Sequence, residues 1–287
     1  MKNNISIIGG GIGGLVTALS FDKLNISYKL YERAEQLKVI GAGIWLSPNA
    51  LQVFEWINPS LLKEIQNEGN TFNRVLVADH KLKPISDSNQ NFVQEKFGYT
   101  TMAIHRGKLQ QILYKFVEKK NIELNRTFKE YSQNSDNSLK VNFTDSSFIE
   151  TDSIIGADGI NSKVRTQLFP NSKLRYSGQT CWRGISNYNI ESELESVGFT
   201  LWGEKLQFGV SKISEGKVYW FAVKLSEPNL TDDKKNLKNL LNNMFSEFHP
   251  LVNNLIGNTS IKNIISSLYN LLIPNIYIRI NPLFQSP

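Results

Sequence analysis

Gly9–Gly10–Gly11–Ile12–Gly13–Gly14 follows an apolar run, Ile5, Ile7 and Ile8, and fits the spacing G-x-G-x-x-G with glycines at 9, 11 and 14. Such a turn binds anions. The first glycine permits a sharp bend and the second lets a pyrophosphate approach the backbone. The third lets the next helix pack closely on the strand, with its N-terminus toward the negative charge. Glu32, 18 residues beyond Gly14, ends the apolar run Tyr28, Leu30, Tyr31, where a carboxylate can accept both hydroxyls of an adenosine ribose. The plainer reading is a tight strand-to-helix turn and a surface glutamate. A strand before the turn, a helix after it and an acid at this distance favour a bound dinucleotide. NAD and FAD use the same turn. Glu32 disfavours a 2′-phosphate by charge repulsion, and the neighbouring Arg33 is compatible with FAD.

The elements that must position these groups are legible as hydropathy patterns. Residues 4–32 read as one βαβ unit with parallel, buried strands. Val75–Val77 reads as a strand. Leu109, Ile112, Leu113, Phe116 and Val117 recur at helical spacing. Leu139–Phe143 and Ser147–Ile149 alternate around Thr144–Asp145–Ser146 as a hairpin does. Ile154 and Ile155 then run into Gly156–Ala157–Asp158–Gly159, a buried strand ending in a tight turn. Beyond about residue 172 the pattern becomes antiparallel β, with Gln207–Val210 and Lys217–Val223 joined by Ser214–Glu215–Gly216, followed by a helix expected over Asp232–Phe248. The expected fold class is mixed α/β and α+β, a Rossmann-like dinucleotide domain with an antiparallel β-sheet substrate domain. The expected boundaries are 1–172, 173–265 and an atypical tail at 266–287.

Composition is that of a folded globular protein: 287 residues, 40% hydrophobic, 20% charged, net charge +6. Disordered, collagen-like and disulfide-stapled classes are excluded. Lys and Arg form no long run, so no nucleic-acid partner is expected. The lone cysteine, Cys181, cannot form an internal disulfide. No stretch reaches the ~20 apolar residues of a membrane span, and the first residues lack a leader's apolar core. These features together predict a cytoplasmic protein. His80, His105 and His249 show no ligand spacing, so no metal site is expected and each reads as a surface or loop residue.

Several further segments, taken in order, carry a resemblance: Tyr31–Glu32–Arg33, Gly41–Ala42–Gly43–Ile44, Ser47–Pro48–Asn49–Ala50 opening a helix, His105–Arg106–Gly107–Lys108–Leu109, Gly156–Arg165, Tyr176–Ser177–Gly178 and Trp182–Arg183–Gly184. With the glycine turn they make the chain similar, over residues 4–250, to the single-component FAD-dependent aromatic hydroxylases with the p-hydroxybenzoate hydroxylase fold. The resemblance implies that Gly9, Gly11 and Gly14 cradle the FAD pyrophosphate, and that Glu32 holds the adenosine ribose with Arg33 beside it. It places Phe128 near the adenine, Gly43 to Trp45 beside the isoalloxazine, and Arg106 on the flavin side. Asp158 and Gly159 would sit near both FAD and the approach path of NAD(P)H. The plainer alternatives are a helix-start surface charge for Arg106, a turn residue for Asp158, a solvated helix charge for Arg165, and an alternating sheet strand for Tyr219–Trp220–Phe221. The resemblance implies no catalytic side chain, because the flavin carries the chemistry. NAD(P)H reduces it, O2 adds at C4a, and the hydroperoxide hydroxylates a small aromatic or heteroaromatic ring.

The sequence departs from this pattern in one respect. The family carries a second FAD-binding Gly-Asp element after the substrate domain, and no Gly-Asp pair follows residue 250 here. The departure predicts a member truncated at its C-terminus, with a frameshift near residues 265–275 as one origin. Two alternatives accompany the monooxygenase reading: an inactive remnant with weak or no FAD binding, and an NAD(P)-dependent dehydrogenase.

Overall fold

The computed structural model describes residues 4–39, 41–227 and 233–272. The strand Ile5–Ile8 pairs in parallel with Tyr28–Tyr31 on one side and Ser153–Gly156 on the other. Ile122–Glu123 extends the sheet in parallel beyond Tyr28–Tyr31. The crossover is the helix Ile12–Leu24, which buries Leu15, Ala18 and Leu19 and stops at Asn25, whose left-handed backbone (φ 55°) closes the last turn. The mixed α/β class expected from the sequence is the class observed.

The aromatic-rich second half builds a seven-stranded sheet in the order Ile265–Leu272, Leu174–Asn187, Lys217–Leu225, Leu206–Ser214, Val197–Gly203, Arg74–Asp79, Pro84–Asn89. Two of its strands come from the first half of the chain, and Arg74–Asp79 lies parallel to Val197–Gly203. The period-two alternation of Lys217–Leu225 serves two different cores. Val218, Trp220 and Ala222 pack with Phe208, Phe245 and Leu255 beneath the helices Leu237–Met244 and Pro250–Gly257. Tyr219 and Phe221 turn to the opposite face, where Ala42, Phe72 and Ala103 pack against them. Those residues belong to or adjoin a small sheet of Gly43–Leu46, Met102–His105 and Gly69–Thr71. The two halves of the chain therefore meet along the Tyr219 face of the large sheet.

Two elements differ from the sequence pattern. The helix expected over Asp232–Phe248 spans Leu237–Met244, and Asp232 lies outside the described residues. Asp233 accepts a hydrogen bond from the Lys235 N–H and its carbonyl accepts one from Asn236, a local turn that competes with the helix. The segment read as a tail begins as sheet: Ile265–Leu272 pairs antiparallel with Leu174–Asn187, with an irregularity between Tyr176 and Thr180. The rest of the 266–287 tail, residues 273–287, lies outside the described residues.

Candidate functional site

At Gly9 and Gly14 the glycine turn is closed by packing that admits no side chain. Gly9 adopts φ +112°, and a Cβ there would meet the Ala157 carbonyl oxygen at 2.4 Å. A Cβ on Gly14 would lie 1.9 Å from the Gly9 carbonyl oxygen, so the third glycine lets the helix sit on the turn. Gly11 differs: a Cβ there would find nothing within 4 Å. Gly11 is also the N-cap of Ile12–Leu24, which has no side-chain cap and no acid in its first turn. The open space thus faces unpaired backbone N–H groups at the positive end of a helix, a setting suited to phosphate.

Glu32 is fixed at this turn. Its Oε2 accepts the Gly10 N–H at 2.5 Å and its Oε1 accepts the Ala34 N–H at 2.8 Å. The remaining lone pairs can accept from a ribose diol. A cleft of about 320 Å³ runs from here between the two parallel strand ends, lined by Gly9, Gly11, Glu32, Arg33, Phe128, Asp158 and Gly159. Gly14 lies beneath the cleft and does not line it. Tyr31 forms part of the lining, and burial pushes its phenol up to about 12, so it stays a neutral donor.

Arg106 joins this cleft to a second cavity of about 470 Å³, lined also by Gly43, Trp45, Arg183, Tyr219 and Phe221. Its stem lies 3.6–4.0 Å from the position a Gly41 Cβ would take, and among the described residues no carboxylate pairs with it. Gly43 is required by the ring beside it, since a Cβ would meet Tyr219 Cγ at 2.3 Å. The Trp45 indole donates to Ser211 Oγ at 3.0 Å and packs edge-on against Phe72, which holds the wall rigid. This cavity offers flat apolar walls with cations at its rim, fitting a planar heterocycle. Of the sequence-derived residues, all but Gly14 line one cavity or the other, and only Arg106 lines both.

Asp158 lines the cleft, but its carboxylate is engaged elsewhere. Oδ1 accepts from Ser162 Oγ at 2.5 Å, and Oδ2 accepts from the Lys163 and Val164 N–H groups at 2.7 and 3.3 Å. It fastens the start of the helix Lys163–Leu168, and Arg165 donates to the Ile160 carbonyl at 2.7 Å instead of standing free in solvent. Two histidines read as surface or loop residues are helix caps. His105 Nδ1 accepts from Gly107 N and Lys108 N at 3.0 and 3.3 Å, and His249 Nδ1 accepts from Leu251 N at 3.4 Å. Burial holds the His105 imidazole below its ordinary 6.5, so it stays a neutral acceptor beside Arg106.

Two lining residues carry no local sequence signal. Gln110 Nε2 donates to the Gly10 carbonyl at 2.8 Å across 100 residues of chain, tying the Arg106 helix to the glycine turn. Arg126 also lines the cleft, with its guanidinium paired to Glu123 (3.3 Å) and Asp145 (2.7 Å) and 5.7 Å from the centre of the Phe143 ring. Among the described residues, no group of three His, Cys, Asp or Glu side chains could hold a metal ion, and no helix is long and apolar enough to cross a membrane.

No family model matches the chain. It is 31% identical over 261 residues to the aurachin C monooxygenase/isomerase of Stigmatella aurantiaca, covering 90% of this chain and 67% of that enzyme. It is 31% identical over 260 residues to the chloroplastic zeaxanthin epoxidase of Spinacia oleracea, of which it spans 37%. The crystal structure of Klebsiella pneumoniae HpxO complexed with FAD and uric acid superposes with a TM-score of 0.85 at 22% identity, covering 95% of this chain and 69% of HpxO. The chain belongs to the FAD-dependent monooxygenases of the p-hydroxybenzoate hydroxylase-like family.

Proposed function

We propose that the chain binds FAD along the two cavities and acts as a monooxygenase on a small aromatic or heteroaromatic substrate, with NAD(P)H as transient reductant and O2 as co-substrate. The observation that carries this reading is the shared position of Arg106. An adenosine site at Glu32 and a flat apolar cavity at Gly43–Trp45 are separate features, and a single cation borders both. A dinucleotide with a planar ring at each end has the shape of that pair of cavities. When bound, FAD supplies the redox chemistry. The Ile12–Leu24 N-terminus and Arg106 then hold the pyrophosphate, Glu32 accepts from the ribose, and Tyr219, Phe221 and Trp45 keep water from the ring. HpxO, of like fold, is crystallised with both FAD and uric acid, which supports a small heterocycle as substrate class.

The test is anaerobic reduction of the FAD-loaded chain by NADH or NADPH, followed by air and a panel of phenols and heterocycles. Flavin absorbance that bleaches under argon and returns with oxygen, with an oxygenated product, is the expected result. Persistent absorbance in the presence of both reductants would overturn it.

A further inference from the structure

Beside the ring cavity lies a third one, about 610 Å³, that shares Gly41 and Ile265 with it. Its inner wall is apolar, from Ile185 and Ile213 with the exposed Val39 beside them, and its lining also carries Lys108, Lys217, Lys262 and a single acid, Glu68. Lys108 and Glu68 neutralise each other at 3.0 Å. Lys217 meets no carboxylate among the described residues: its Nζ donates to the neutral amide oxygen of Asn187, its register partner on the adjoining strand. Lys262, on the single turn Ile261–Asn263, lines the same cavity with no carboxylate paired to it among the described residues. Both ammoniums are exposed. A concave apolar surface bearing two uncompensated cations focuses its field on the void between them.

We propose that this cavity is a cationic vestibule, in which Lys217 and Lys262 receive the carboxylate or phosphate of a ligand whose flat end enters the ring cavity. The inference rests on the reading that the flavin ring lies in the Gly43–Trp45 cavity. The anionic group has two possible carriers, a ring substrate bearing a carboxylate and the nicotinamide dinucleotide with its phosphates. A charge-assisted hydrogen bond to either lysine aligns the ligand so that its flat end reaches the ring cavity.

The full chain, with saturating FAD, is titrated with benzoate, with neutral benzyl alcohol, and with NAD+ and NADP+ as non-reducing probes. The double variant Lys217→Gln/Lys262→Gln is expected to weaken benzoate about tenfold and leave benzyl alcohol unchanged if the substrate carries the anion. If the reductant carries it, the same loss falls on NAD+ or NADP+ and spares benzoate. Lys217→Arg/Lys262→Arg restores binding in either case. No change in any anionic probe, or an equal loss for benzyl alcohol, would overturn the proposal. FAD uptake is read in the same samples. A chain that refuses FAD yet shows the lysine-dependent benzoate loss overturns the flavin reading and not the vestibule.

Discussion

At the residue scale, the three motif glycines do different physical work, and substitution separates them. Gly14→Ala forces a methyl against the Gly9 carbonyl; overpacking of this kind costs about 1–3 kcal/mol. Thermal unfolding without ligand should show it as a lowered Tm. Gly11→Ala meets open space, so its cost is only that of a poorer N-cap, about 0.5–1 kcal/mol. Its methyl occupies the volume assigned to the pyrophosphate, and FAD affinity should fall tenfold or more; equal affinity in Gly11→Ala and wild type would contradict the assignment. Glu32→Ala strips partners from the Gly10 and Ala34 N–H groups and should cost about 1–3 kcal/mol of stability as well as FAD affinity. A variant with unchanged chemical-denaturation midpoint would contradict that structural role. The position of the acid was legible in the sequence because it directly follows the apolar run Tyr28, Leu30, Tyr31 that marks a strand. Its hydrogen bond back to the turn was not, because backbone donors leave no mark on residue type.

At the element scale, the helix Arg106–Phe116 carries the residue that borders both cavities, and His105 caps it. The cap works only with a neutral imidazole, since the protonated ring has no acceptor for two N–H groups. Its pKa is depressed in the folded chain, so the unfolded chain binds the proton more readily. The stabilisation is full above the ordinary 6.5 and is lost as pH falls through the lower folded value. Stability should therefore drop by about 1 kcal/mol more in wild type than in His105→Asn between pH 7 and pH 5; parallel pH profiles would contradict the cap. The periodicity of Leu109, Ile112 and Leu113 announced this helix, and those residues are its buried face. The histidine before it read as surface because capping depends on backbone geometry, not on spacing. The same limit hid Gln110, whose partner is 100 residues away, and the Asp158 cap. The expected helix over 232–248 came out shorter because Asp233 favours a local turn, a competition that apolar spacing does not encode.

At the scale of the whole molecule, the glycine turn and the aromatic sheet face come from opposite halves of the chain, and a ligand spanning both cavities couples them. The alternation in Tyr219–Trp220–Phe221 marked a sheet strand with one face able to line a pocket; which rings line a cavity depended on the packing of Gly43–Leu46 against the Tyr219 face. The strands Arg74–Asp79 and Pro84–Asn89 joining the large sheet were likewise beyond reading in chain order, because sheet neighbours are chosen by long-range pairing. A ligand held by both halves stabilises by mass action: at one hundred times its Kd, FAD should add about 2.7 kcal/mol and raise Tm by roughly 5 °C. Riboflavin, which lacks the pyrophosphate and adenosine, should raise it far less. The most direct test of the central claim is an equilibrium titration of the full chain with FAD, read by flavin fluorescence. The account predicts a saturable change at one FAD per chain, weakened tenfold or more in Arg106→Ala; a signal that never saturates, or that is indifferent to Arg106, would contradict it.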